Sequence, residues 1–87
     1  MHEHGLMNHL MNKILSLAEK EHAARVTKVS VKLGALSQMS PEHFKEHFDI
    51  SAKGTIAEDA IIEAEESTDV NDPHAQTVLL KSIDIAN

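Results

Sequence analysis

Cysteine is absent from this chain of 87 residues, and with it go disulfide staples, iron–sulfur clusters and every thiolate zinc site. Any metal held here must sit on nitrogen and oxygen donors, and no zinc site is expected. Tryptophan and tyrosine are missing too, which leaves Phe44 and Phe48 as the large aromatic side chains. Positive charge is scarce: 8 basic residues face 14 acidic ones, a net charge of −6, with no basic cluster interleaved with aromatics. Nucleic acid is therefore excluded as a partner. No apolar run approaches the roughly 20 residues that cross a bilayer, and the opening residues lack the basic start and apolar core of a signal peptide. A cytoplasmic location with no membrane partner is the expectation. The length allows one domain, 1–87, near the size at which a single core barely offsets chain entropy, and leaves no room for a second, catalytic domain.

Histidine is what the chain has in abundance, seven in all. His2 is the most informative, because it stands one bond from the terminal amine. That amine, the peptide nitrogen of His2 and its Nδ1 close a five-membered and a six-membered chelate ring around one ion without help from tertiary structure. A flat nitrogen set of this kind suits Ni(II) or Cu(II) and fits tetrahedral Zn(II) poorly. It requires that Met1 be kept, and methionine-removing enzymes generally need a small second residue, which His2 is not. Glu3 continues the chelating backbone, and His4 is close enough to serve as an auxiliary ligand. The competing reading is an early histidine in a frayed terminus with no function.

Leu6, Met7, Leu10, Met11, Ile14, Leu17 and Ala18 recur at three- and four-residue steps, which predicts an amphipathic helix from Glu3 to about Ala23. Val29, Val31 and Leu33 alternate with Lys28, Ser30 and Lys32 as a half-buried strand ending at Gly34. Ser40 as N-cap, Pro41 at the first helical position and Met39 stapled onto Phe44 announce a second helix, which closes at Gly54. A strand centred on Ile61, Ile62 and Ala64 follows. A polar loop, Ser67 to Gln76, carries the turn signal Asn71-Asp72-Pro73. The last strand, Val78 to Ile85, is interrupted at Lys81-Ser82, as a bulge or phase shift would do. The order α-β-α-β-β predicts an α+β fold with two helices on one face of a small three-stranded mixed sheet. The first two strands, bridged by a helix, should be parallel if adjacent, and the last two should be antiparallel neighbours.

Other histidines admit other readings. His43-Phe44-Lys45-Glu46-His47 matches H-x-x-E-H, in which two histidines hold zinc and a glutamate activates water. A small zinc hydrolase on His43, Glu46 and His47 is one possibility; partly exposed residues flanking the buried Phe44 and Phe48 stripe is the other. His9 and His22 read as solvated, and Met7 with Met11 reads as core.

Met1-His2-Glu3, Val29 to Gly34 with Ala35 and Ser37, the Phe44 and Phe48 pair, the run Gly54-Thr55-Ile56-Ala57-Glu58 and Lys81-Ser82-Ile83 together resemble the HypA/HybF hydrogenase nickel-incorporation proteins. The resemblance covers nearly the whole chain. It implies that the Met1 amine, His2 and the backbone amides of His2 and Glu3 bind Ni(II) for delivery to nickel–iron hydrogenase, or to urease, with a HypB-like GTPase and the hydrogenase large subunit as partners. It also exposes two departures. The family carries a zinc lobe with two CxxC pairs between its last two strands, where this chain has the loop 67–76. The family often has a carboxylate before its second helix, where this chain has Ser40; Glu42, Glu3 or His74 are the candidate substitutes. The rival to metal delivery is an adaptor that docks to the GTPase without handling metal.

Overall fold

The computed structural model describes the backbone of residues 3–87 and the side chains of residues 5–87. Its elements are α1 (Glu3–Lys20), β1 (Arg25–Leu33), α2 (Pro41–Ala52), β2 (Ile61–Glu66) and β3 (Val78–Ala86). This is the expected α+β order with two helices on one face of a three-stranded mixed sheet.

The apolar stripe of α1 buries Met7, Leu10, Met11, Ile14 and Ala18, while Leu17 lies at its edge and is exposed. The helix stops three residues short of the expected Ala23. Ala23 N–H returns to the Ala18 carbonyl at 3.0 Å and His22 N–H to the Glu19 carbonyl at 3.0 Å, with His22 at φ 55°. This is a Schellman closure carried by histidine where glycine is usual, so no glycine marks the end in the sequence.

At the start of α2 the Ser40 hydroxyl accepts the His43 N–H at 3.1 Å, Pro41 occupies the first turn, and Met39 and Phe44 are both buried in the core. Phe44 and Phe48 are fully buried, with centroids 6.1 Å apart. Burying each removes on the order of 1.5–3 kcal/mol of apolar exposure cost. Gly54 takes φ 84° just past the helix. The run after it is a capping turn: Thr55 Oγ1 donates to the Ala52 carbonyl at 2.7 Å and accepts the Ala57 N–H at 3.0 Å, and Gly54 N–H donates to the Glu58 carboxylate at 3.4 Å.

The sheet order is β2-β1-β3, with β1 parallel to β2 and antiparallel to β3. The parallel pair meets expectation. The expected β2–β3 neighbourhood does not occur: the two strands occupy opposite edges and both pair with β1. The cause is burial. β1 places Val26, Val29, Val31 and Leu33 in the core, whereas Ile61 of β2 is two-thirds exposed and, Val78 apart, the inward residues of β2 and β3 are half-buried, so β1 claims the centre. The connection 67–77 must then cross the end of β1. It is anchored there by Ser67 N–H to Leu33 O at 2.9 Å, Gly34 N–H to Thr77 O at 2.9 Å and Leu36 N–H to Ala75 O at 2.7 Å.

Two register shifts bend the β1–β3 ladder. One leaves Thr27 unpaired, which is why Val26 points inward out of phase with Val29; the other falls at Lys81, where the alternation breaks in the sequence. The face away from the helices is polar. Lys28 Nζ lies 3.3 Å from the Glu63 carboxylate, which also accepts the Ser30 hydroxyl at 3.1 Å, and Lys81 reaches Glu65 at 2.6 Å.

Candidate metal centre

The first half of α1 lies beside the start of β3, where Leu6, His9 and Leu10 face Thr77, Val78 and Leu80 across a groove of about 190 Å³. The other end of α1, at Leu17 and Glu21, meets Ile83 and Ile85 near the end of β3. Helix and strand therefore run in the same direction, and Glu3 marks the end of the molecule at which β3 begins while β1 and β2 finish. α2 starts at this end as well, since the 34–40 loop leads from the last residue of β1 to its N-cap. Two helix N-termini, the 34–40 loop and the 67–77 connection thus converge.

Between these loops is a cleft of about 340 Å³ whose walls include Gly34, Met39, Ser40, Glu66 and Ser67. It was not foreseen from the sequence, because it exists only once β1 and β2 end side by side. Gly34 is required for that closeness. A Cβ built on it would lie 2.6 Å from the Ala75 carbonyl carbon and 2.7 Å from the Thr77 oxygen. In the crossing loop, the His74 N–H donates to the Asp72 carboxylate at 2.8 Å, and Lys32 Nζ stands 3.6 Å away. The His74 amide first, and then the lysine charge, hold the Asp72 carboxyl below its ordinary range.

The expected ligands Met1 and His2, and the side chains of Glu3 and His4, lie outside the described residues. Of the candidate substitutes for the missing carboxylate, Glu42 is exposed in the first turn of α2 and His74 is exposed on the crossing loop. Among the described residues no three His, Asp or Glu side chains come together to hold a metal. In the H-x-x-E-H pattern the His43 and His47 ring centroids lie 4.4 Å apart and Glu46 is exposed. A zinc hydrolase requires a third protein ligand, and none stands beside them among the described residues. His9 and His22 are exposed, as expected, and Met7 and Met11 are core.

A family model described as hydrogenase/urease nickel incorporation, metallochaperone, hypA matches residues 1–71. The match ends inside the crossing loop. Among curated proteins, the hydrogenase maturation factor HypA of Methanobrevibacter smithii is 33% identical over 66 residues, covering 76% of this chain and 53% of the relative. That of Archaeoglobus fulgidus is 38% identical over 63 residues, covering 72% and 57%. That of Rhodopseudomonas palustris is 41% identical over 63 residues, covering 72% and 56%. The chain thus spans about half the length of the curated relatives it matches. The solution structure of the Ni metallochaperone HypA from Helicobacter pylori superposes with a TM-score of 0.78 at 17% identity, covering 99% of this chain and 98% of that one, a likeness of fold.

Proposed function

Because this chain belongs to the HypA family of hydrogenase and urease nickel-incorporation proteins, we propose that it is a nickel metallochaperone that captures Ni(II) at its first residues and hands it to a maturing nickel enzyme. The observation that carries this reading is that the family match begins at residue 1 and takes in Met1-His2-Glu3, the one segment whose chemistry alone makes a flat nitrogen chelate.

The Met1 amine, the His2 imidazole and the amides of His2 and Glu3 hold the ion, with His4 as auxiliary ligand. Ionised peptide nitrogens are anionic, and the positive end of α1, which begins at Glu3, favours that form. Square-planar Ni(II) leaves its axial faces open, so a recipient site can bind before the donor lets go. A HypB-like GTPase and the hydrogenase large subunit are the proposed partners. On this reading the loop 67–76 stands where the family's zinc lobe would be inserted.

The test is a Ni(II) titration of the chain beginning at Met1, of the same chain extended by one residue before Met1, and of His2→Ala, followed by the visible absorption of square-planar nickel. Binding with that band by the first alone is the expected result. Equal binding by all three rejects the site.

A further inference from the structure

The two edges of the sheet differ in what borders them. β2 and β3 each pair with β1 alone, so among the described residues every second residue of either strand turns its N–H and carbonyl away from the sheet. The register with β1 points Val78, Leu80, Ile83 and Ile85 of β3 toward the helices, and all but Val78 stay half-buried. Between β3 and α1 runs a trough, which opens beside Leu80 as the groove of about 190 Å³ and again beside Ile83 and Ile85 as one of about 300 Å³.

Charge sets this edge apart. Of the eight basic residues, Lys28, Lys32, Lys45 and Lys81 are paired with carboxylates, and Arg25 donates to the Glu58 carbonyl. Lys13 and Lys20 have no carboxylate partner among the described residues, and both line the trough, where Glu21 is the one acidic neighbour. Steps of four and three residues place Lys13, Leu17 and Lys20 in one row of α1, a basic–apolar–basic stripe about 10 Å long on a chain of net charge −6. Lys13 stands about 13 Å of helix beyond His4, so the stripe is clear of the first residues. The β2 edge has no such stripe, because the lysines beside it are held by Glu63, Glu65 and Asp49.

We propose that the β3 edge takes up an extended segment of a partner protein with the pattern acidic–x–apolar–x–acidic, which adds a fourth strand to the sheet. The segment's main chain pairs with β3, its apolar residue covers Leu17 and Ile83, and its two carboxylates reach Lys13 and Lys20. Residues four apart on a strand are about 14 Å apart, and the flexible lysine side chains absorb the difference from the 10 Å stripe. A second copy joined through its own β3 would set one basic stripe against another, so like charge opposes that occupant. The surface does not rest on the terminal nickel chelate.

The probe is the capped peptide Val-Thr-Glu-Thr-Val-Thr-Glu-Thr-Val, compared with its counterpart carrying lysine at both glutamate positions and added to isotope-labelled protein. Amide shifts in residues 13–20 and 78–86 are expected, and alternate amides of β3 should gain protection from hydrogen exchange. The acidic peptide should bind about tenfold tighter than the basic one at low salt, with the preference lost in molar salt. Lys13→Glu with Lys20→Glu should invert the preference; both lysines are exposed, so the core is untouched. Lys53→Glu, at an unpaired lysine on the far end of α2, should preserve it. His2→Ala should bind the peptide as the parent does, so failure of the nickel site leaves this surface standing. Equal affinity for the two peptides, no binding of the acidic one at millimolar concentration, shifts centred on β2, or a dimer of the chain that excludes the peptide overturns the proposal.

Discussion

Gly34 is the residue where a single methyl group does the most damage. It follows the central strand, and the crossing loop lies against it so closely that an added Cβ meets backbone, which has no rotamer by which to retreat. Gly34→Ala should destabilise the fold by about 1–3 kcal/mol, the usual cost of overpacking, and the urea midpoint measures it. The same substitution should perturb amide resonances of Ala75 and Thr77, the two residues in contact. Ser40 works in the opposite sense, by supplying an acceptor to α2. Ser40→Ala leaves the His43 N–H without its hydroxyl partner and should cost about 1 kcal/mol, with Ser40→Gly or Ser40→Asp losing less. Ser40 was legible because a cap is a local device: acceptor, proline and staple lie within the six residues from Met39 to Phe44. His22, Gln38 and Asp59 were not, although each holds positive φ, since none carries the glycine or asparagine signal that usually announces it.

At the scale of elements, the outer face of the sheet shows how charge supports the topology. Glu63 is held below its ordinary 4.5 by the Ser30 hydroxyl first and then by Lys28, and Glu65 by its hydrogen bond from Lys81 and that lysine's charge. Lys81 stands at the bulge in β3, and Glu65 belongs to β2, so this pair spans the central strand and ties the two edges together. A carboxylate whose folded pKa is depressed contributes stability above its unfolded pKa and loses it as pH falls through the folded value. Urea midpoints should therefore decline below about pH 5, and Glu63→Gln with Glu65→Gln should flatten that decline. Both groups are exposed, so the effect is modest and molar salt should erase it. Elements themselves were legible because periodicity is local: the stripe of α1, the Phe44 and Phe48 pair and the break at Lys81 all read directly. Strand order was not. Which strand sits centrally depends on summed burial, and the connection 67–77 resembles a hairpin loop until β1 is seen to occupy the space it crosses.

At the scale of the whole molecule, the terminal chelate stands out because its donors do not have to be assembled by the fold. Met1, His2 and Glu3 are consecutive in the chain, so most of the proposed affinity survives unfolding. In urea above the unfolding midpoint, the chain should keep its square-planar nickel absorption near pH 8. Acid should abolish that absorption. The amine, ordinarily near ~7.7–8.0, and the imidazole, near ~6.5, must give up protons to bind, so nickel affinity should fall steadily from about pH 8 to about pH 6 in folded and unfolded chain alike. The folded protein remains intact over that range, because its titrating outer-face carboxylates lose their protons far lower. A nickel band that vanishes with the fold, or that survives unchanged at pH 6, would show that tertiary donors such as Glu42 or His74 hold the ion in place of the first two residues.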